Sequence, residues 1–146
     1  MDKKFFKGYS HVAVYVTDLE KAIEFYQEVL EFDLQFQLYN ESDGLKIAML
    51  KLGDLAVELL EPPTDRETLL PKEKVIDGAR STINHFALLV TDIQKSMDHI
   101  KSFGYEFEDR GIYHVPNFGR ETLDLNVAFF RGPNGERIEL FQEIEK

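Results

Sequence analysis

A pattern that recurs within a chain constrains its architecture more than composition does, because two copies of one pattern fold as two copies of one unit. Here HVAVYVTDLEKAIEFY, from His11, returns 74 positions later as HFALLVTDIQKSMDHI, from His85. Five of the first eight residues are identical: His11 with His85, Ala13 with Ala87, Val16 with Val90, Thr17 with Thr91 and Asp18 with Asp92. Each copy closes on a carboxylate inside an apolar run, Glu58 in AVELLE and Glu139 in RIELFQ. The chain reads as two units, each opening on a histidine and ending on a glutamate.

Hydrophobic periodicity gives both units the same element order. Ser10 to Val16 is rich in Val and Tyr and predicts a strand. Thr17 and Asp18 follow as helix caps, and Leu19, Ile23, Tyr26 and Leu30 then form one apolar stripe of a helix reaching to about Leu30. Phe32 to Leu38 alternates as a half-buried strand. The turn Glu41-Ser42-Asp43-Gly44 leads to a strand over Lys46 to Leu52, and Gly53-Asp54 turns it back into Leu55 to Leu60. In the second unit, Ile83 to Val90 is the strand and Thr91 and Asp92 are the caps. Ile93, Met97, Ile100 and Phe103 form the stripe, with Gly104 at the left-handed helix end. A strand is expected over Tyr105 to Asp109, then a long loop over Arg110 to Asp124. A hairpin of Leu125 to Arg131 and Glu136 to Phe141 closes the unit, turned by Gly132-Pro133-Asn134-Gly135, where Asn and Gly accept positive φ. The expectation is an α+β chain, a single domain over 1–146, built of two tandem βαβββ modules at 8–61 and 83–143. Pro62, Pro63, Pro71 and Gly78 mark 62–82 as the linker, with a short helix expected over Glu67 to Lys74.

His11 and His85 stand at equivalent strand starts, and a structural histidine has no reason to recur at the symmetric place. Alternation turns Val57 and Leu59 to the helix side and Glu58 to the opposite face, where His11 can also point. A carboxylate shielded from water is costly unless paired or bound to a cation. Two imidazoles and two carboxylates are a mixed nitrogen–oxygen donor set suited to a divalent metal. His99, inside the second helix, is read as a surface residue. His114, Tyr113 and Arg120 fall in the long loop, and Arg120 or Arg110 is placed to meet an anionic substrate through paired hydrogen bonds.

A net charge of −10 argues against non-specific binding to nucleic acid or to an anionic membrane. The absence of cysteine excludes disulfides, thiolate chemistry and cysteine-based metal sites, and is compatible with a reducing cytoplasm. MDKKFFKGYSH has no apolar core of a signal peptide, and no apolar run approaches the roughly 20 residues of a membrane span. A cytoplasmic location is expected.

Over roughly residues 8 to 143 the chain resembles the vicinal-oxygen-chelate superfamily, which includes glyoxalase I, methylmalonyl-CoA epimerase, extradiol dioxygenases and bleomycin-resistance proteins. The resemblance rests on HVAVYVTDLEKAIEFY, the Glu58 run, HFALLVTD and GPNGERIEL from Gly132 to Leu140. It implies a curved, open mixed sheet around a metal cleft, with His11, Glu58, His85 and Glu139 as the ligands of a nickel, cobalt or zinc ion. It also implies a homodimer acting on a small carbonyl or thioester substrate. Glutamate at position 58, where epimerases often carry Gln, tilts the resemblance towards glyoxalase I (lactoylglutathione lyase), although LKIAMLKLGDLAVELLEP looks closer to the epimerase branch. The implied chemistry is proton transfer next to a carbonyl through a metal-stabilised enediolate, with Glu139 preferred over Glu58 as the base. The alternatives are an epimerase acting on an acyl thioester, or a metal-free protein that binds a small molecule.

Overall fold

A computed structural model of the chain describes residues 9–42, 44–63, 85–118 and 120–146. It divides into two compact units, Met1–Glu67 and Thr68–Lys146. Asp43, Ile83, most of the 62–82 linker with Pro71 and Gly78, and the short helix expected over Glu67 to Lys74 lie outside the described residues.

Unit one contains β1 (Val12–Tyr15), α1 (Leu19–Glu24), β2 (Asp33–Asn40), β3 (Leu45–Leu52) and β4 (Leu55–Glu61). Its four-stranded sheet has the order β1-β4-β3-β2, with β1 parallel to β4 and the other pairs antiparallel. The expected βαβββ order is observed. Asp18 sits in extended backbone and its carboxylate accepts from the Lys21 amide at 3.2 Å, satisfying one of the helix's orphan donors. A second orphan, the Leu19 amide, donates to Glu61 Oε1 at 2.7 Å and ties the helix start to the end of β4. Leu19, Ile23, Tyr26 and Leu30 are all buried, as the stripe requires. Beyond Glu24 the helix widens into one π turn, Phe25–Val29, and closes on Glu31 at φ 63, with the Phe32 amide donating back to the Tyr26 carbonyl at 2.8 Å.

Unit two contains β5 (Phe86–Leu89), α2 (Ile93–Ser102), β6 (Tyr113–Val115), β7 (Leu123–Arg131) and β8 (Arg137–Glu145). The sheet order is β5-β8-β7-β6, again with the first pair parallel. The corner is built as in unit one: Asp92 caps Lys95 N at 3.0 Å, and Gln142 Oε1 accepts from Ile93 N at 3.0 Å. Ile93, Met97 and Ile100 are buried, and Gly104 takes φ 93 as expected. Together the two units carry two four-stranded mixed sheets with few helices. Among the described residues no helix is long and apolar enough to cross a membrane.

Five local expectations are corrected. Tyr105 to Asp109 is not a strand: Phe107 makes one isolated bridge to Phe130, and the Gly111 amide then donates to the Glu108 carbonyl at 2.8 Å in a tight turn. The edge strand resumes as β6, inside the stretch expected to be loop, because Tyr113, His114 and Val115 pair with Val127, Asn126 and Leu125. Phe103 is 45 % exposed, since the helix has ended there and its ring lies against His99 instead of the core. The strand of Phe32 to Leu38 is mostly exposed rather than half-buried, with Phe36 and Leu38 both 46 % exposed. In the β7–β8 turn only Gly135 has positive φ, and Asn134 does not.

Candidate metal and proton-transfer site

In unit one, Val57 and Leu59 are fully buried while Glu58 between them is not, so Glu58 faces away from the helix. The register Ala13↔Glu58 sets the carboxylate across from the residue two places beyond His11. His11 Nε2 and Glu58 Oε1 stand 3.7 Å apart. Unit two repeats the construction: Ile138 and Leu140 are buried, Ala87 pairs with Glu139, and His85 Nε2 lies 3.2 Å from Glu139 Oε1. The histidines recur 74 positions apart and the glutamates 81, yet the same register, alanine opposite glutamate, brings each histidine and glutamate together in its own sheet.

The spacing of the second pair is that of two donors on one cation. Two donors each ~2.1 Å from one ion, at angles between square and tetrahedral, are separated by roughly 3.0–3.4 Å. The 3.2 Å of His85–Glu139 falls within that spacing and the 3.7 Å of His11–Glu58 lies outside it; among the described residues no three histidine, aspartate or glutamate side chains gather as a metal site. The Ser10 hydroxyl lies 2.9 Å from His11 Nδ1 and can hold that nitrogen as the N–H tautomer, leaving Nε2 as the donor atom. At His85 the orienting contact is the Phe129 ring, edge-on at 5.2 Å. Each unit supplies one imidazole and one carboxylate of the expected set, His11 with Glu58 and His85 with Glu139.

The surroundings of the second pair hold residues that sequence reasoning missed. Arg137 Cζ lies over the Phe129 ring, 3.9 Å from its centroid, and the guanidinium donates through Nε and Nη2 to both Glu108 oxygens at 2.8 Å. These bonds hold the Glu108 carboxyl below its ordinary range and push the Arg137 guanidinium up. The signal was period two: Arg137 and Glu139 are two apart on one strand and share a face. Tyr113 reaches the same face, stacked near Phe129 at 6.4 Å between centroids, and Arg110 covers it at 3.8 Å.

Other candidates lie apart from this face. His114 alternates to the far side of β6, where its Nε2 is 3.0 Å from Asp124 and its Nδ1 3.0 Å from Asn126. Asp124 is buried and also accepts from the Asn117 amide at 3.0 Å and from Lys146 at 2.9 Å. Chiefly through the Asn117 amide and then Lys146, its carboxyl falls from the ordinary value to about 2. Arg120 is bonded to Glu145 and Thr122. His99 is exposed on α2, as expected.

Comparison with known proteins places this geometry in context. A family model described as the Glyoxalase/Bleomycin resistance protein/Dioxygenase superfamily matches residues 8–140. The uncharacterized protein YwbC of Bacillus subtilis (strain 168) is 28 % identical over 136 residues, covering 93 % of this chain and 98 % of its own. A probable lactoylglutathione lyase of Vibrio cholerae is 29 % identical over 132 residues, covering 90 % of this chain and 88 % of its own. The crystal structure of a glyoxalase family protein from Bacillus cereus superposes with a TM-score of 0.75 at 20 % identity, covering 99 % of both chains, and shows the shared fold.

Proposed function

The chain belongs to the glyoxalase/bleomycin resistance protein/dioxygenase superfamily, and from that premise we propose that it is a metal-dependent lyase or isomerase of the lactoylglutathione lyase type. The observation that carries this reading is the pair of His–Glu contacts at the same strand register in both units. The kinship to a probable lactoylglutathione lyase over most of both chains supports the reaction type. His11, Glu58, His85 and Glu139 hold one divalent ion, nickel, cobalt or zinc, in a protein that works as a homodimer on a small hemithioacetal or related α-hydroxycarbonyl compound.

When bound, the ion supplies Lewis-acid polarisation of a carbonyl, which acidifies the neighbouring C–H. Glu139 takes that proton on a carboxylate oxygen and returns it to the adjacent carbon. Its side chain is 12 % exposed against 23 % for Glu58, so it is the carboxylate better shielded from competing water. Phe129 walls that side of the site and fixes the His85 ring, and the Glu108–Arg137 pair fixes Phe129. Glu58, with the more open surroundings, serves as ligand. Elemental analysis of untagged protein, followed by exchange of substrate α-protons in deuterated water with methylglyoxal hemithioacetals, tests the proposal. Stoichiometric metal with exchange is expected. Fully loaded protein that exchanges no α-proton would remove it.

A further inference from the structure

The face of the unit-two sheet that carries Glu139 holds two arginines over aromatic rings, and among the described residues only one of them is paired with an anion. Arg137 lies 3.9 Å over Phe129 and Arg110 lies 3.8 Å over Tyr113, the neighbouring ring. Stacking fixes the plane of a guanidinium while leaving its N–H edge free for a planar oxyanion. Arg137 shows the outcome within this molecule: its fork takes the Glu108 carboxylate through two bonds of 2.8 Å. Among the described residues the Arg110 guanidinium makes no ion pair or hydrogen bond, only its ring contact. The other arginines described in unit two are committed, Arg120 to Glu145 and Thr122 and Arg131 to the Gly135 carbonyl.

The position of Arg110 gives it a purpose. Tyr113 stacks beside Phe129, and Phe129 meets the His85 ring, so a continuous aromatic floor runs from Arg110 to the His85–Glu139 pair. A chain of net charge −10 repels anions in general, so an anionic substrate needs a fixed cation on the binding face. We propose that Arg110 is the specificity residue of the site and takes a carboxylate at the far end of the substrate, which makes the substrate a carboxylate-bearing carbonyl compound. The assignment rests on the proposed function in one respect: the reacting end must sit at the metal ligands.

The test uses the full metal-loaded chain and calorimetric binding of hydroxamates, whose adjacent oxygens chelate a divalent ion. A series of monohydroxamic acids from succinic to suberic is compared with the corresponding methyl esters. At one chain length the acid should bind about tenfold or more tightly than its ester, as a charge-assisted bond to a stacked fork implies. Arg110→Gln should erase that preference and leave ester binding unchanged, Arg110→Lys should keep part of it, and Arg120→Gln should alter neither. Esters that bind as well as acids at every length, or a preference that survives in Arg110→Gln, would overturn the role of Arg110 while leaving the metal site intact. If no hydroxamate of either kind binds, the reading of the site fails and this assignment fails with it.

Discussion

The two units share a plan and differ in how firmly it is held. In unit two the residue next to Glu139 across the sheet is Phe129, which is buried under Arg137 and braces His85. In unit one the corresponding neighbour of Glu58 is Met49, and beyond it Phe36 stands 46 % exposed. One half-site is walled by aromatic stacking and the other is open and faced by a flexible thioether. The repeat thus keeps the histidine–glutamate pairs while their settings diverge, and on the proposed function that divergence is what gives two equivalent carboxylates different work.

The largest test of that difference is catalytic. With metal occupancy matched, Glu139→Gln should lower turnover by ~10²–10⁴, the span for losing a general base, while Glu58→Gln should lower it less. Single-turnover rates of both variants, with elemental analysis of each, check this. Equal losses would mean that walled and open carboxylates share the proton. A fully active Glu139→Gln would end the assignment of the base.

The edges differ in the same sense, and acid should expose it. Unit one's edge strand β2 runs for eight residues with one bulge between Leu34 and Phe36. Unit two's edge is cut by the turn at Gly111, and its three-residue β6 is pinned by Asp124, which gathers His114, the Asn117 amide and Lys146. Because the folded Asp124 carboxyl is depressed to about 2, its contribution is whole above the ordinary carboxylate range and is lost as pH falls through that range towards about 2. Asp124→Asn should therefore be less stable than wild type at neutral pH, and the gap should narrow on acidification. Urea midpoints at neutral pH and near pH ~3 measure it. A gap that is constant with pH would assign the pinning to hydrogen-bond shape rather than to charge.

Much of this was legible in the sequence because local rules governed it. The caps at Asp18 and Asp92, the buried stripes and the alternation that exposes Glu58 and Glu139 all depend on neighbours within a few residues. What escaped depends on partners far along the chain. Glu108 and Arg137 are 29 residues apart, and nothing in either neighbourhood announces the other. The strand at Tyr113–Val115 was hidden by its polar, proline-flanked setting, since an edge strand needs little apolar content once β7 supplies its partner. The exposure of β2 escaped for the opposite reason: alternation predicts which residues share a face, not whether that face is covered.

The helix starts should respond alike, since their construction is the same. Asp18→Ala and Asp92→Ala each remove a carboxylate that accepts from the amide three residues on, and each should cost about 1 kcal/mol in denaturant unfolding. A cost confined to one of them would show that the Glu61 and Gln142 ties at the same corners are not equivalent supports.

The smallest expected effect concerns the helix ends, where the copies part by one residue. Gly104 stands twelve positions after its cap Asp92, and Glu31 stands thirteen after Asp18; both take positive φ. Unit one absorbs the extra residue in the π turn Phe25–Val29, so its left-handed position falls on a glutamate instead of a glycine. A non-glycine residue there carries a cost of ~1–2 kcal/mol, partly offset because glycine loosens the unfolded chain. Glu31→Gly should therefore stabilise by about 0.5–1 kcal/mol, and Gly104→Ala should destabilise by about 1 kcal/mol. In thermal unfolding these are shifts of roughly 2–4 °C in opposite directions for a chain of this size. If Glu31→Gly destabilised the protein, the Glu31 side chain would be contributing more than its backbone costs, and the π turn would be a supported feature rather than a tolerated insertion.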